Sequence, residues 1–299
     1  MTAGQASSGG RDRDAVRTRL VETVGYLSET IGQRSYLDLD SLGRSADYIE
    51  SRLRETGCPV KRQPFPYRGN IYHNISAEVA GTGDSGEKML VVGAHYDTAL
   101  YTPGADDNAS GIAALLELAG MTARSPLKRP VRFVAFCLEE PPAYMTKSMG
   151  SYLYARSLRE EGIPVLGMLS LEMLGYYADG NGTQYYPSSL FRPFYPDRGN
   201  FIAFVGNLSS RSFTLRLKKA FAAASSVPVE SLSGISVIPG VDFSDHRNFW
   251  KFGFAACMVT DTAFYRNPHY HSPGDTADTL DYDTMAAVVQ GLHHAFAGL

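Results

Sequence analysis

Apolar and polar positions follow two regimes along the chain. Between residues 13 and 57 the period is helical: AVRTRLVETVGYLSETIG and SLGRSADYIESRLRETG carry apolar residues three and four apart. The second segment opens on Ser41, the expected cap, and closes on Gly57. Extended segments follow. PVKRQPFPY and YHNISAEVAG are rich in aromatic and β-branched residues and broken by Pro and Gly, which predicts strands. MLVVGAHYD is a continuous apolar run ending in polar groups, the pattern of a strand buried on both faces with its C-terminal end open.

From that point strands and helices alternate. VRFVAFCLEE, VLGMLSLEML, FIAFVGN and FAACMVTDT read as strands. SGIAALLELAGMTA, MGSYLYARSLREEG, RSFTLRLKKAFAAAS and YDTMAAVVQGLHHAFAGL read as helices. This alternation predicts an α/β fold with a mostly parallel mixed central sheet and helices on both faces. Residues 1–12 are small and polar and read as a disordered tail. Residues 13–299 read as a single domain, in which the Gly-, Tyr- and Pro-rich stretch 176–200 is expected to form a long loop or small insertion over the site.

Composition narrows the class without naming a function. The chain has 299 residues, 44% hydrophobic and 20% charged, with a net charge of −3. That is a soluble globular composition, and the absence of a basic patch argues against nucleic acid as a partner. No window is apolar and long enough to span a bilayer, and the first twenty residues lack the apolar core of a secretory signal, so a cytoplasmic protein is expected, with a secreted one whose leader was removed as the alternative. Cys58, Cys137 and Cys257 lie far apart and outside any CxxC pair. Cys137 and Cys257 sit in apolar runs and read as buried free thiols.

The chemistry gathers at strand ends. His95 and Asp97 follow LVVGA, Glu139 and Glu140 follow VRFVAFCL, Glu172 follows VLGMLSL, and Asp261 follows FAACMVT. In open α/β sheets ligands bind outside the carboxyl ends of strands. A single charged strand end is ordinarily a solvated one; the convergence of several is the signal. GADDNASG places Asp106 and Asp107 ahead of a helix, where one acidic residue serves as a cap and the other is free to bind metal. HYHSPGDT puts two histidines in a Pro/Gly turn, a setting for a metal ligand or for a plain solvated loop. On an extended backbone Glu139 and Glu140 would point to opposite sides, one toward metal and one toward substrate.

In this order, GAHYD, PGADDNASG, LEE, LEMLGYY, SDHRNF and HYHSPGDT resemble the zinc exopeptidase family that holds the bacterial di-zinc leucyl aminopeptidases and the glutamate carboxypeptidases. The matching segments span residues 93 to 276. The resemblance implies two zinc ions, with manganese or cobalt as substitutes: His95 and Glu172 on one, Glu140 and His271 on the other, and Asp107 bridging both. It implies a cis peptide between Asp107 and Asn108, Asp97 as the carboxylate orienting the His95 imidazole, Glu139 as general base and Tyr270 at the oxyanion. Imidazole and carboxylate without thiolate suit catalytic zinc. The implied reaction is removal of the N-terminal residue from a peptide or amino-acyl substrate.

Two features depart from the family pattern. LEM stands where LDM is usual, which makes the Glu172 carboxylate one methylene longer. EEPPAYMTKSMGS reaches its Gly-Ser pair late, which assigns Tyr144 and Met145 to the substrate pocket. In SDHRNF, Asp245 and His246 are expected to contact substrate, to stand behind the ligands, or to be structural. The rival readings are a single-zinc glutaminyl-cyclase-like acyltransferase, a non-catalytic binding relative, and an amidase on the same metal centre. Oligomeric state is left open by the sequence.

Overall fold

The computed structural model describes residues 3–84 and 86–299, with side chains described from residue 12 onward. The tail expected over residues 1–12 falls at this end: residues 1 and 2 lie outside the described residues, and helix α1 runs over Ala3–Gly25. Eight strands follow in chain order: β1 (Val60–Tyr67), β2 (Asn70–Val79), β3 (Met89–His95), β4 (Val131–Phe136), β5 (Val165–Glu172), β6 (Ile202–Asn207), β7 (Val229–Gly234) and β8 (Ala256–Thr260). They form one mixed sheet in the order β1-β2-β4-β3-β5-β8-β6-β7. Four of its seven pairings are parallel: β3 with β4, β3 with β5, β5 with β8, and β6 with β7. The β1–β2 hairpin closes through Arg68 and Gly69, at φ of 47° and 83°, the pair of left-handed residues that matches the strand twist.

Every residue of β3 is buried, as its unbroken apolar run predicts. Alternation then splits the side chains between two faces. Leu90, Val92 and Ala94 join Phe133, Leu169 and Val259 in a core covered by α1, α2 (Leu39–Arg54), α3 (Gly111–Arg124), α5 (Arg211–Ala224) and α7 (Tyr282–Ala297). Met89 and Val91 pack with Phe136 and Met168 under α4 (Gly150–Glu160) and α6 (His246–Lys251). Helices therefore cover both faces, as expected. Residues 176–200 hold one 3-10 turn, Ser189–Phe191, and a single bridge between Ala178 and Gly199. Cys137 and Cys257 are buried and free. Among the described residues no helix is long and apolar enough to cross a membrane.

Three local expectations are corrected. The cap of α2 is Asp38, whose carboxylate accepts the Ser41 amide, so Ser41 lies inside the first turn. β4 stops at Phe136, because Leu138 takes a left-handed φ of 63° and the amides of Glu139 and Glu140 leave the sheet to bond the Asp97 carboxylate. Glu139 and Glu140 are thus not on an extended strand. The third correction concerns β7 and α6, which the sequence pattern does not predict: β7 is half-buried and carries no apolar alternation, and α6 is only six residues long.

β4, β3, β5 and β8 are neighbours running in one direction, so their C-terminal ends share one edge of the sheet, where side chains from four separate segments can meet.

Candidate metal centre

At that edge β3 ends on His95 and β5 ends on Glu172. The loop before α3 enters from above, through Gly104 at a φ of 63°, and delivers Asp107. The Asp107–Asn108 peptide is cis, as the resemblance implies. The turn after β8 delivers Tyr270 and His271. Two groups of three result. His95 Nε2 stands 3.3 Å from Asp107 Oδ1 and 3.4 Å from Glu172 Oε1. His271 Nε2 stands 3.1 Å from Asp107 Oδ2 and 3.2 Å from Glu140 Oε1. Asp107 belongs to both groups, offering one oxygen to each.

Each of these groups is oriented by a neighbour. His95 Nδ1 hydrogen-bonds the main-chain oxygen of Asp97 at 3.0 Å, which leaves Nε2 for the cluster. The Asp97 carboxylate is 3.6 Å from Nδ1 and accepts the amides of Glu139 and Glu140, so it ties the end of β4 to that of β3. Glu172 Oε2 accepts the Ser244 hydroxyl at 2.6 Å, and Glu140 Oε1 accepts the Ala99 amide at 3.1 Å. The longer Glu172 side chain therefore still reaches His95. Asn108 accepts the amides of Gly111 and Met173 and donates to Leu171, fastening the Asp107 loop to β5.

A cavity of about 130 Å³ opens on this cluster, lined by Asp107, Glu139, Glu140, Tyr144, Glu172 and Tyr270 among others. Glu139 and Glu140 both face it, whereas an extended backbone would have parted them. Tyr270 stacks on His271 with ring centroids 3.9 Å apart. Beside it lies a second cavity of about 100 Å³ that shares Glu172, Phe243 and Tyr270 with the first. Its walls include Tyr186, Tyr195 and Tyr265, whose hydroxyls bond the main-chain oxygens of Pro196, Ser231 and Pro239, leaving a largely apolar surface.

The electrostatics report a shortage of positive charge. Burial opposes ionisation of Asp107, but hydrogen bonds from His271 and His95 outweigh it and hold the carboxyl well below the ordinary range. Burial, then the charge of Asp107, pushes Glu140 up to about 7. Burial pushes Glu139 well above its ordinary value, with His95 opposing and Glu140 adding to the rise. Burial disfavours the proton on His271, yet Asp107 and Glu140 push it up to about 11; His95 is likewise raised against its burial, most strongly by the charge of Glu172. Asp107 Oδ1 is buried without a well-aligned hydrogen-bond donor. Among the described residues, buried carboxylates gathered with two imidazoles fit divalent metal ions: oxygen and imidazole donors, two groups, one shared carboxylate.

The remaining candidates divide. Tyr144 lines the cavity, edge-on to Phe243 and under the Arg247 guanidinium. Met145 is 49% exposed and lines neither cavity. Substrate contact at Asp245 and His246 is corrected: both are wholly buried, and His246 Nε2 bonds the main-chain oxygen of Val241. Three supporting residues escape a reading of the sequence: Arg34, Ser244 and Asp275. Asp275 stands inside HYHSPGDT, and its carboxylate accepts the amides of Asp106 and Asp107 at 2.8 and 3.0 Å. Asp106 accepts the Gly175 amide and the Asn267 side chain. The acidic pair thus has divided duties: Asp106 braces loops, and Asp107 faces the cavity.

A mixed α/β sheet carrying two imidazole–carboxylate groups joined through one aspartate, beside an open cavity, has the layout of a metal-binding site, and the family match makes the protein a hydrolase. The chain belongs to Peptidase family M28, whose family model matches residues 74–296. It is 44% identical to YfbL of Escherichia coli (strain K12), itself described as uncharacterized, over 288 residues, 94% of this chain and 87% of that one. It is 28% identical over 226 residues to a probable leucine aminopeptidase of Arthroderma otae, covering 71% of this chain. The chain spans about half the length of that fungal protein, 52%. In fold it is similar to BSAP, a zinc aminopeptidase from Bacillus subtilis, with a TM-score of 0.74, 15% identity and 94% of each chain covered.

Proposed function

We propose that the chain is an aminopeptidase that hydrolyses the N-terminal residue of peptides at a two-zinc centre, with manganese or cobalt as substitutes. The observation that carries this reading is the sharing of Asp107 between two ligand groups, directly beside the buried Glu139. His95, Asp107 and Glu172 would hold one ion, and Asp107, Glu140 and His271 the other. When bound, the metals supply Lewis acidity for the scissile carbonyl and the attacking water. Glu139 takes the proton of that water and returns it to the leaving amine. Tyr270, which lines both cavities, donates a hydrogen bond to the developing oxyanion.

The choice of terminus rests on charge. The cavity over the cluster is lined by Asp107, Glu139, Glu140 and Glu172, and neither cavity has an Arg or Lys in its wall. A free amine finds four carboxylates there, whereas a substrate carboxylate finds no guanidinium or ammonium group. The adjoining apolar cavity then takes the first side chain.

The test joins metal content to turnover of amino-acid p-nitroanilides. About two zinc ions per chain, activity abolished by chelation and restored by zinc, are expected. One ion per chain, with cyclisation of N-terminal glutamine in place of hydrolysis, would replace this reading with the acyltransferase. Neither metal nor turnover would leave a binding protein. A separate comparison reads the apolar cavity: substrates with a large apolar first residue should exceed those beginning with Asp by roughly 100-fold in kcat/KM, because a carboxylate would enter a cavity whose charged wall residues, Glu172 and Glu230, are themselves acidic. Equal turnover of both would show that the first side chain binds elsewhere.

A further inference from the structure

Arg34 is wholly buried, and it lies outside residues 74–296 matched by the family model. A buried arginine ordinarily pairs with a carboxylate. Here all its side-chain hydrogen bonds go to main-chain oxygens. Nε donates to Tyr96 at 2.9 Å; Nη1 donates to Leu27, Gly32 and Pro103 at 2.9, 2.9 and 2.7 Å; Nη2 donates to Gly104 at 2.9 Å. The main chain adds to this, with the Arg34 amide on the Thr98 hydroxyl and the Thr98 amide on the Arg34 oxygen.

The acceptors are placed to matter. Tyr96 stands between His95 and Asp97, at the end of β3. Pro103 and Gly104 lead into the loop that delivers Asp107. One rigid guanidinium fork therefore spans the two segments that bring His95 and Asp107 within 3.3 Å of each other. The loop closes tightly on it: a Cβ at Gly104 would come within 3.0 Å of Arg34 Nη2 and 2.4 Å of the Thr98 side chain. On its other side the loop's amides at Asp106 and Asp107 rest on the Asp275 carboxylate. Its oxygens thus meet a cation and its amides an anion. Burial lowers the guanidinium pKa to about 10, and the negative charges of Asp275, Asp97 and Asp107 oppose that fall.

We infer that Arg34 is a positioning residue of the metal centre, fixing the separation of His95 and Asp107 through the main chain that carries them. The inference rests on the proposed two-zinc centre. It concerns geometry that metal binding needs and that bare folding does not, and this separates it from a residue that merely fills the core.

The full-length chain is titrated with zinc against a chromophoric chelator, as wild type, Arg34→Lys, Arg34→Met and Leu20→Ala. Leu20 is a buried core residue of α1 and serves as the control for lost stability. Unfolding midpoints of the zinc-free proteins, and kcat and KM on an amino-acid p-nitroanilide, are measured alongside. Arg34→Lys keeps the charge but loses the fork, and it is expected to bind the weaker of the two zinc ions about 10- to 100-fold less tightly, the range for residues that orient ligands. Its kcat should fall with KM near wild type. Leu20→Ala should lower the midpoint and leave zinc affinity intact. Wild-type zinc affinity in Arg34→Lys or in Arg34→Met overturns the inference, as does a loss of affinity in Leu20→Ala that matches theirs; should one Arg34 variant fail to fold, the other decides. A wild type that binds two zinc ions while the Arg34 variants equal it defeats this role alone. A wild type that takes up no zinc defeats the metal reading, and this role with it.

Discussion

Replacing Glu139 with Gln is expected to lower kcat by roughly 10²- to 10⁴-fold, the contribution of a positioned general base, while zinc content stays at wild type. The substitution preserves shape and removes only the capacity to accept a proton. Glu139 belongs to neither ligand group, lies on the wall of the cavity over both, and its amide is already fixed by Asp97. The loss should therefore appear in the chemical step, with KM little changed. The measurement is steady-state kinetics beside metal analysis on the same preparation. A variant within about tenfold of wild type would remove Glu139 from the proton path, since base catalysis contributes more than that. A variant that lost zinc would instead move Glu139 into the set of groups that hold the metals.

The sheet was legible because its central strands obey a local rule. MLVVGA and FAACMV are apolar throughout, the composition expected of strands buried on both faces. The positions of His95, Glu172 and Asp261 followed from the same runs, because a charged group fits such a strand where it ends. The two ligand histidines and the acidic pair of GADDN were visible as motifs. Local pattern failed where one segment is held by another distant in sequence. Nothing in LVVGAHYD or PGADDN signals that Arg34 bonds both, 62 to 70 residues away. Asp275 is 168 residues from the Asp107 amide it accepts, and within its own turn it reads as one more polar residue. The Asp97 carboxylate draws Glu139 and Glu140 out of β4, so the strand ends before its apolar run predicts. For Asp245 and His246 the motif left substrate contact, support of the ligands and a structural role all open, and it carries no sign that both are wholly buried.

Removal of Asp107 should do more than removal of any other single ligand. His271→Ala takes a donor from one group and leaves His95, Asp107 and Glu172 intact, so about one zinc ion per chain is expected to remain. Asp107→Ala takes a donor from both. It leaves His95 with Glu172 and Glu140 with His271, two donors each, fewer than the three protein ligands of an ordinary catalytic zinc site. Zinc content should fall below about one per chain under conditions where wild type holds two, and turnover should drop to the chelated background. The fold should survive, because the loop that carries Asp107 is fastened through its main chain and through Asn108, with the Asp107 carboxylate facing the cavity. Far-ultraviolet circular dichroism on the zinc-free variant checks that point independently of activity. If Asp107→Ala and His271→Ala retain the same zinc content, the two groups do not share a ligand, and the centre is two separate sites or a single one. If Asp107→Ala alone empties both, the aspartate couples the two ions, and loss of either geometry is loss of the reaction.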